Sequence, residues 1–336
     1  MSYLNLSGRR AHPGLFSLTM RILITGGFGF IGGRLAVHLA QLGHQIILGT
    51  RHSIVSPDWL PQAEVSKIVW DDEVVLKRNC NGVDLIIHAA GMNARDCNTD
   101  PEAALAFNGL ATARLVEVAS RSSVKKFIYL STAHVYCNPL AGTITEKTCP
   151  SNLDPYATSH LAGEHAVLSA SSHGRFQGIV LRLSNAFGAP MQKDMNCWML
   201  LVNDLCRQAA ETRALVLQTS GMQQRDFISL TDVCRIIEKL VIGHAELKHA
   251  HLFNVGGGIS QSVLEMARLI QQRCIKVLGF EPELQHKYGE FNEQHPSLNY
   301  RTDNLNSLGI DCKSLGYLEE IDSLLRFCQD KFSQKV

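Results

Sequence analysis

Thr25-Gly26-Gly27-Phe28-Gly29-Phe30-Ile31-Gly32 sets Gly26, Gly29 and Gly32 in a GxxGxxG loop between a short apolar run and a segment of helical periodicity. A dinucleotide needs that combination. Its pyrophosphate must approach the backbone closely, and the first helical turn offers free N–H groups and a positive dipole end. The loop therefore assigns Gly26, Phe28, Gly29, Phe30, Ile31 and Gly32 to a cofactor site. Further on, Leu48-Gly49-Thr50-Arg51-His52 holds no carboxylate for the ribose 2′-hydroxyl of NAD, but it holds an arginine. Arg51 is placed to pair with the 2′-phosphate of NADP. NADP is the expected cofactor and NAD the alternative, in which Arg51 is an ordinary solvated residue.

Strand–helix units must hold these residues in place. Arg21-Ile22-Leu23-Ile24-Thr25 stops at the glycines, as a buried parallel strand should, and Ile31, Leu35, Leu39 and Leu42 recur at helical spacing before Gly43. The same reading predicts strands at 45–48, 67–70, 84–88, 126–130 and 177–183, with helices over about 103–120 and 156–171. That alternation predicts an α/β fold, a doubly wound parallel sheet of Rossmann type over 20–188. Beyond Ala189 the rhythm changes to helices near 197–210 and 262–278, isolated strands such as 252–255, and a loop-rich stretch over 281–302. Residues 189–336 are thus expected to form a smaller α+β substrate-binding lobe, with about 226–260 returning to the Rossmann domain. Residues 1–19 carry Arg9, Arg10, His12 and Pro13 without an apolar core, the pattern of a disordered extension rather than a signal peptide. An organelle transit peptide is the alternative.

Composition narrows the partners. Thirty-two basic residues against thirty-one acidic give a net charge of +1, so electrostatics makes no case for nucleic acid or an anionic membrane. No stretch approaches the ~20 apolar residues of a membrane span. The ten cysteines contain no CxxC pair and read as reduced thiols of a cytoplasmic protein, without a metal site.

Further motifs follow in order along the chain. They are Trp70-Asp71-Asp72, His88-Ala89-Ala90-Gly91, Asn108, Leu130-Ser131-Thr132-Ala133-His134-Val135-Tyr136 and Tyr156-Ala157-Thr158-Ser159-His160. After them come Leu181-Arg182-Leu183-Ser184-Asn185-Ala186-Phe187-Gly188, Arg225-Asp226-Phe227 and Phe253-Asn254-Val255-Gly256-Gly257-Gly258. With the glycine loop, this series resembles the extended short-chain dehydrogenase/reductases, the epimerase/dehydratase-like group that modifies nucleotide-linked sugars. The likeness runs from about Arg21 to the C-terminus.

The resemblance implies roles. Asp71, Asp72, Ala89, Ala90, Gly91 and Asn108 join the cofactor site, and Asn93, His134, Asn185 and Arg225 join a nucleotide-sugar site. Tyr156 matches the tyrosine that exchanges a proton with the substrate oxygen, and Thr132 matches the hydroxyl that steadies that oxygen. Where such enzymes carry a lysine four residues after the tyrosine, this chain has His160. One helical turn places His160 beside Tyr156, where it can still meet a ribose hydroxyl. With an ordinary pKa near ~6.5 it is expected to be partly charged at neutral pH and to lower the tyrosine's pKa less than lysine does. Ala133 and His134 stand where the dehydratases carry Asp and Glu, which disfavours loss of water. His134 is open to an acid–base role or a structural one. For Arg225, a diphosphate and a neighbouring carboxylate (Asp226 or Asp232) are the two partners in view.

The expected function is reduction of a nucleotide-linked keto-sugar by hydride from NADPH. The alternatives are an NAD-dependent nucleotide-sugar 4-epimerase and a non-catalytic dinucleotide-binding regulatory protein. A homodimer is implied by the resemblance alone.

Overall fold

Seven short strands, nearly all apolar where they pair, build the centre of the protein. In this computed structural model, which describes residues 19–52, 54–243, 251–286, 296–311 and 316–333, the sheet contains β1 (Arg21–Thr25), β2 (Gln45–Thr50), β3 (Glu64–Lys67), β4 (Leu85–His88), β5 (Lys126–Thr132), β7 (Gln177–Leu183) and β11 (Leu252–Val255). The order is β11-β7-β5-β4-β1-β2-β3 and every pair is parallel. Strand order reverses between β1 and β4, and a parallel sheet opens a crevice beyond its carboxyl ends at that point. Thr25 and His88 pair in register there, so the glycine loop and the Ala89-Ala90-Gly91 turn emerge side by side.

Helices cover both faces. They are α1 (Phe30–Gln41), α2 (Glu73–Cys80), α3 (Ala94–Thr99), α4 (Pro101–Ala104), α5 (Thr112–Ser120), α6 (Pro155–Ser172) and α8 (Leu230–Ile242). One core cluster joins Ile22, Leu48 and Ile128 to α1 and α8, and another joins Leu23, Ile86 and Phe127 to α2, α5 and α6.

The remaining elements are β6 (Gly142–Ile144), β8 (Asn185–Phe187), α7 (Leu201–Thr212), β9 (Ala214–Leu217), β10 (Gln224–Ser229), β12 (Ser260–Ser262), α9 (Val263–Leu278), β13 (Glu283–His286), β14 (Leu298–Tyr300), α10 (Asp303–Ser307) and α11 (Tyr317–Phe332). Here α7, α9 and α11 enclose a separate core around Leu205, Ile270 and Leu324. Buried Glu320 on α11 joins the two cores. Its carboxylate takes two bonds from Arg34 on α1, at 2.7 and 3.0 Å, and others from Thr231 and the Ala189 N–H.

Three sequence expectations shift. The third strand is 64–67 rather than 67–70, because β2 ends at Thr50. Ile68 N–H still reaches Thr50 O at 2.7 Å, but Val69 and Trp70 have no strand left to pair with. The helix expected near 197–210 starts only at Leu201, since 195–200 turns along the site described below. Two strands, β13 and β14, sit within the stretch read as loop, of which 287–295 lies outside the described residues. Runs of three or four residues are too short to show alternation. Residues 1–18 of the expected extension also lie outside the described residues.

Candidate active site

The crevice at the switch point opens into a cavity of about 550 Å3, lined by the glycine loop, the turn after β4, the ends of β5 and β7, and the 195–202 stretch. Gly26 has φ +67°, and a Cβ there would stand 2.8 Å from Ala90 N, so only glycine lets the two loops meet. A Cβ on Gly32 would run into the Gly26 carbonyl. Gly29 differs. A Cβ there would touch only Gly26 O, at 3.0 Å, and would otherwise point into the cavity. Helix α1 starts just behind with no side-chain cap and no acidic residue in its first turn, which leaves its N–H groups free. A pyrophosphate fits this cradle.

Not every residue read as cofactor-binding faces the cavity. Gly29, Phe30, Ile31, Gly32, Ala89, Ala90 and Gly91 line it. Gly26 braces the turn behind it, and Phe28 packs edge-on against Trp59. Arg51 is exposed, its guanidinium 4.8 Å from the Phe107 ring centroid. Asp72 caps α2 by accepting from Val75 N at 3.1 Å, and Asp71 is exposed beside it. Asn108 is buried in a wide π turn (Leu105–Ala111) between α4 and α5. Its amide oxygen takes the Met92 N–H at 2.8 Å and its NH2 donates to Ser159, so it fixes the cavity wall rather than forming it. A π turn at a functional site is a common device for re-aiming one side chain.

Thr132, Tyr156, His160 and His134 converge on the opposite wall. Burial raises the Tyr156 phenol above its ordinary pKa, and a hydrogen bond from Thr132 only partly offsets this. Thr132 Oγ1 accepts the His134 N–H at 3.2 Å, which leaves its own proton to donate. The His160 ring meets Tyr156 edge-on at 4.6 Å, and its Nδ1 lies 3.0 Å from the Tyr129 hydroxyl. His160 is not partly charged, contrary to what its ordinary pKa predicts. Burial, with no carboxylate paired to it among the described residues, takes its pKa down to about 4, so the imidazole is neutral at pH 7. Burial and the nearby Arg225 likewise keep His134 low, against a smaller pull from Asp154.

At the far end stand Asn93, Asn185 and Arg225. Asn93 caps α3 through Asp96 N at 3.0 Å, and Asn185 donates to Asp226 O at 2.8 Å. Arg225 has no ion pair among the described residues, only Gln223 Oε1 at 3.2 Å. Asp226 is turned to the Gly257 and Gly258 N–H groups instead, and Asp232 to Ser229 and Arg235. An unpaired guanidinium in a cavity wall suits an anion.

Several site residues had no signal in the sequence. Met195 and Asn196 lie before the expected helix, Met199 and Leu200 read as part of it, and Tyr129, behind the cavity lining, looked like one more buried strand residue. His88 is buried and bonded to Thr25 and Thr112, beneath the loops and outside the cavity lining.

Comparison with known proteins gives the family and the fold. Residues 22–256 match the NAD dependent epimerase/dehydratase family. The human dTDP-D-glucose 4,6-dehydratase is 26% identical over 294 residues, covering 84% of this chain and 81% of that protein. The dTDP-6-deoxy-L-talose 4-dehydrogenase (NAD(P)(+)) of Kitasatospora kifunensis is 27% identical, covering 74% and 78%. Among solved structures, an NAD dependent NDP-hexosamine 5,6-dehydratase of tunicamycin biosynthesis superposes with a TM-score of 0.74 at 25% identity, covering 93% of this chain and 99% of that one. A Thermus thermophilus UDP-glucose 4-epimerase in complex with NAD gives 0.76 at 20% identity, covering 93% and 100%, a likeness of fold.

Proposed function

The chain belongs to the NAD dependent epimerase/dehydratase family, and from that premise we propose that it reduces the carbonyl of a nucleotide-linked keto-sugar, with NADPH as the preferred reductant. The glycine loop would hold the dinucleotide, which when bound would supply the hydride for the carbonyl carbon. Tyr156 delivers the proton to the oxygen as the C=O bond becomes C–OH, and Thr132 holds that oxygen by donating its hydroxyl proton. Phe30 and Ile31 give the pyrophosphate its N–H groups, Gly29 leaves room for it, Ala89, Ala90 and Gly91 form the facing wall, and Arg51 meets the 2′-phosphate. Asn93, Asn185 and His134 contact the substrate, whose diphosphate falls to Arg225.

The observation that carries the direction of reaction is the neutral, buried surroundings of Tyr156. Its pKa is raised, and the residue beside it is an uncharged His160 rather than a cation. Such a phenol stays protonated at neutral pH, so the proton donor is present and the phenolate base is scarce. A 4-epimerase cycle begins by removing a hydroxyl proton, and a dehydratase needs further acid and base groups where this chain has Ala133 and a deprotonated His134. The 4-dehydrogenase relative is consistent with this choice.

The test is cofactor exchange. Protein purified without added cofactor and then denatured should release little dinucleotide, and NADPH should be oxidised only when a nucleotide-linked keto-sugar is added. Stoichiometric NAD in the released nucleotide, with interconversion of 4-epimers and no net oxidation, would establish the epimerase instead.

A further inference from the structure

His160 is tied on one side only. Its Nδ1 lies 3.0 Å from the hydroxyl of Tyr129, on β5 beneath α6. Its other edge faces the cavity, where a Cβ built on Gly91 would lie 3.8 Å from Nε2. A neutral imidazole carries one proton, so the bond at Nδ1 decides what the cavity meets. Tyr129 is completely buried, and its phenol, held well above the ordinary pKa by burial, has a proton to place. The hydroxyl of nearby Thr112 already donates to Asn108 O at 2.7 Å, with His88 Nε2 at 2.8 Å. The His160 carbonyl, at 3.5 Å, is a poor alternative acceptor. Of the two His160 atoms within reach of the Tyr129 hydroxyl, Nδ1 at 3.0 Å is the better acceptor for its proton.

We propose that Tyr129 is a positioning residue: its hydroxyl donates to His160 Nδ1, puts the imidazole proton on Nε2, and presents that N–H to the cavity as an uncharged donor for a ribose hydroxyl of the dinucleotide. The dinucleotide part rests on the function proposed above; the tautomer stands without it. The pair replaces an ammonium with a neutral donor whose direction is set from β5, so the ribose contact is kept without placing a cation beside Tyr156. The titratable groups around the ring are Tyr129 from β5, Tyr156 from its own helix and His88 from β4, and none carries charge at pH 7.

Nitrogen-15 spectra of the histidine-labelled protein at pH 7, without ligand, test the tautomer directly. His160 is assigned by comparison with His160→Gln. Wild type should show a protonated Nε2 and a bare Nδ1, and Tyr129→Phe should shift the ring toward a mixture. Calorimetry with NADPH and NADH should then show affinity falling roughly tenfold in Tyr129→Phe and in His160→Leu, the loss of about one hydrogen bond. His160→Gln, which keeps a neutral donor near Nε2, should stay within roughly threefold of wild type. A wild-type proton on Nδ1 would overturn the proposal whether or not the substituted proteins fold. So would a tautomer that Tyr129→Phe leaves unchanged in the folded protein. Absence of any dinucleotide binding beside the expected tautomer would overturn the cofactor reading and the ribose contact, leaving the Tyr129–His160 pairing in place.

Discussion

At the scale of single residues, the chemistry turns on which groups carry charge. Tyr156, His160 and His134 face one cavity and all three are held neutral, while Arg225 alone among the polar groups of that wall is a cation. Tyr156→Phe should lower turnover by about 100- to 10,000-fold, the usual weight of a general acid, and leave cofactor affinity unchanged by calorimetry. Because the Tyr156 pKa is raised, the wild-type rate should stay level on the alkaline side past pH 9, falling only as the phenol ionises. His160→Lys would place a cation beside the phenolate and lower that pKa, so the alkaline fall should move to lower pH. Arg51→Ala should weaken NADPH by ~1.5–3 kcal/mol and leave NADH nearly untouched, since a hydrogen bond to a charged group is lost only with the 2′-phosphate. Equal losses for both cofactors, or none, would refute that contact.

At the scale of elements, strand, glycine turn and helix act as one device, and this is what the sequence made legible. The run Arg21–Thr25 and the spacing of Gly26, Gly29 and Gly32 define β1, the loop and α1 without further help. The glycines also divide by task in a way spacing cannot reveal. Gly29→Val should leave the melting temperature nearly unchanged but cost dinucleotide affinity on the order of 1–3 kcal/mol, because its side chain enters the cavity. Gly32→Ala should destabilise the fold itself, since its Cβ meets the Gly26 carbonyl. Where the sequence misled on an element, the ladder decided. Val69 and Trp70 read as strand because they are apolar, yet no partner strand extends to them. The cap that Asp72 gives α2 was a second task the sequence reading did not name. The charge of His160 was illegible for another reason, because it depends on burial, which only the packed fold supplies.

At the scale of the whole molecule, two cores must stay in register for β10, which carries Arg225, to face the strand ends that carry Thr132 and the helix that carries Tyr156. Glu320 is the cross-piece, its carboxylate held below the ordinary range because the bonds from Arg34, Thr231 and Ala189 outweigh burial. A depressed carboxylate contributes stability above its unfolded pKa and loses it as pH falls through the folded value. Glu320→Gln should therefore cost ~3–5 kcal/mol at pH 7, as breaking one side of a buried pair does, and progressively less in acid. Buried histidines act in the same pH direction by another route. His88 and His160, taken down to about 3 and about 4, bind protons in the unfolded chain before they do in the folded one, so stability falls from pH 6.5 toward 4. Asp226, raised to about 6, opposes them between its ordinary value near 3.8 and pH 6. His160→Gln should accordingly flatten the acid side of the melting-temperature profile by one proton's slope.

One transfer defines the proposed reaction, a hydride to a sugar carbon with a proton from Tyr156. It is read most directly by giving the purified protein a nucleotide-linked 4-keto sugar with NADPH deuterated at the reactive position, and weighing the sugar product. The predicted result is one deuterium on the carbon that held the carbonyl, formed by wild type and almost lost in Tyr156→Phe. A sugar that gains no deuterium from NADPH or NADH, or gains it equally in Tyr156→Phe, would contradict the account.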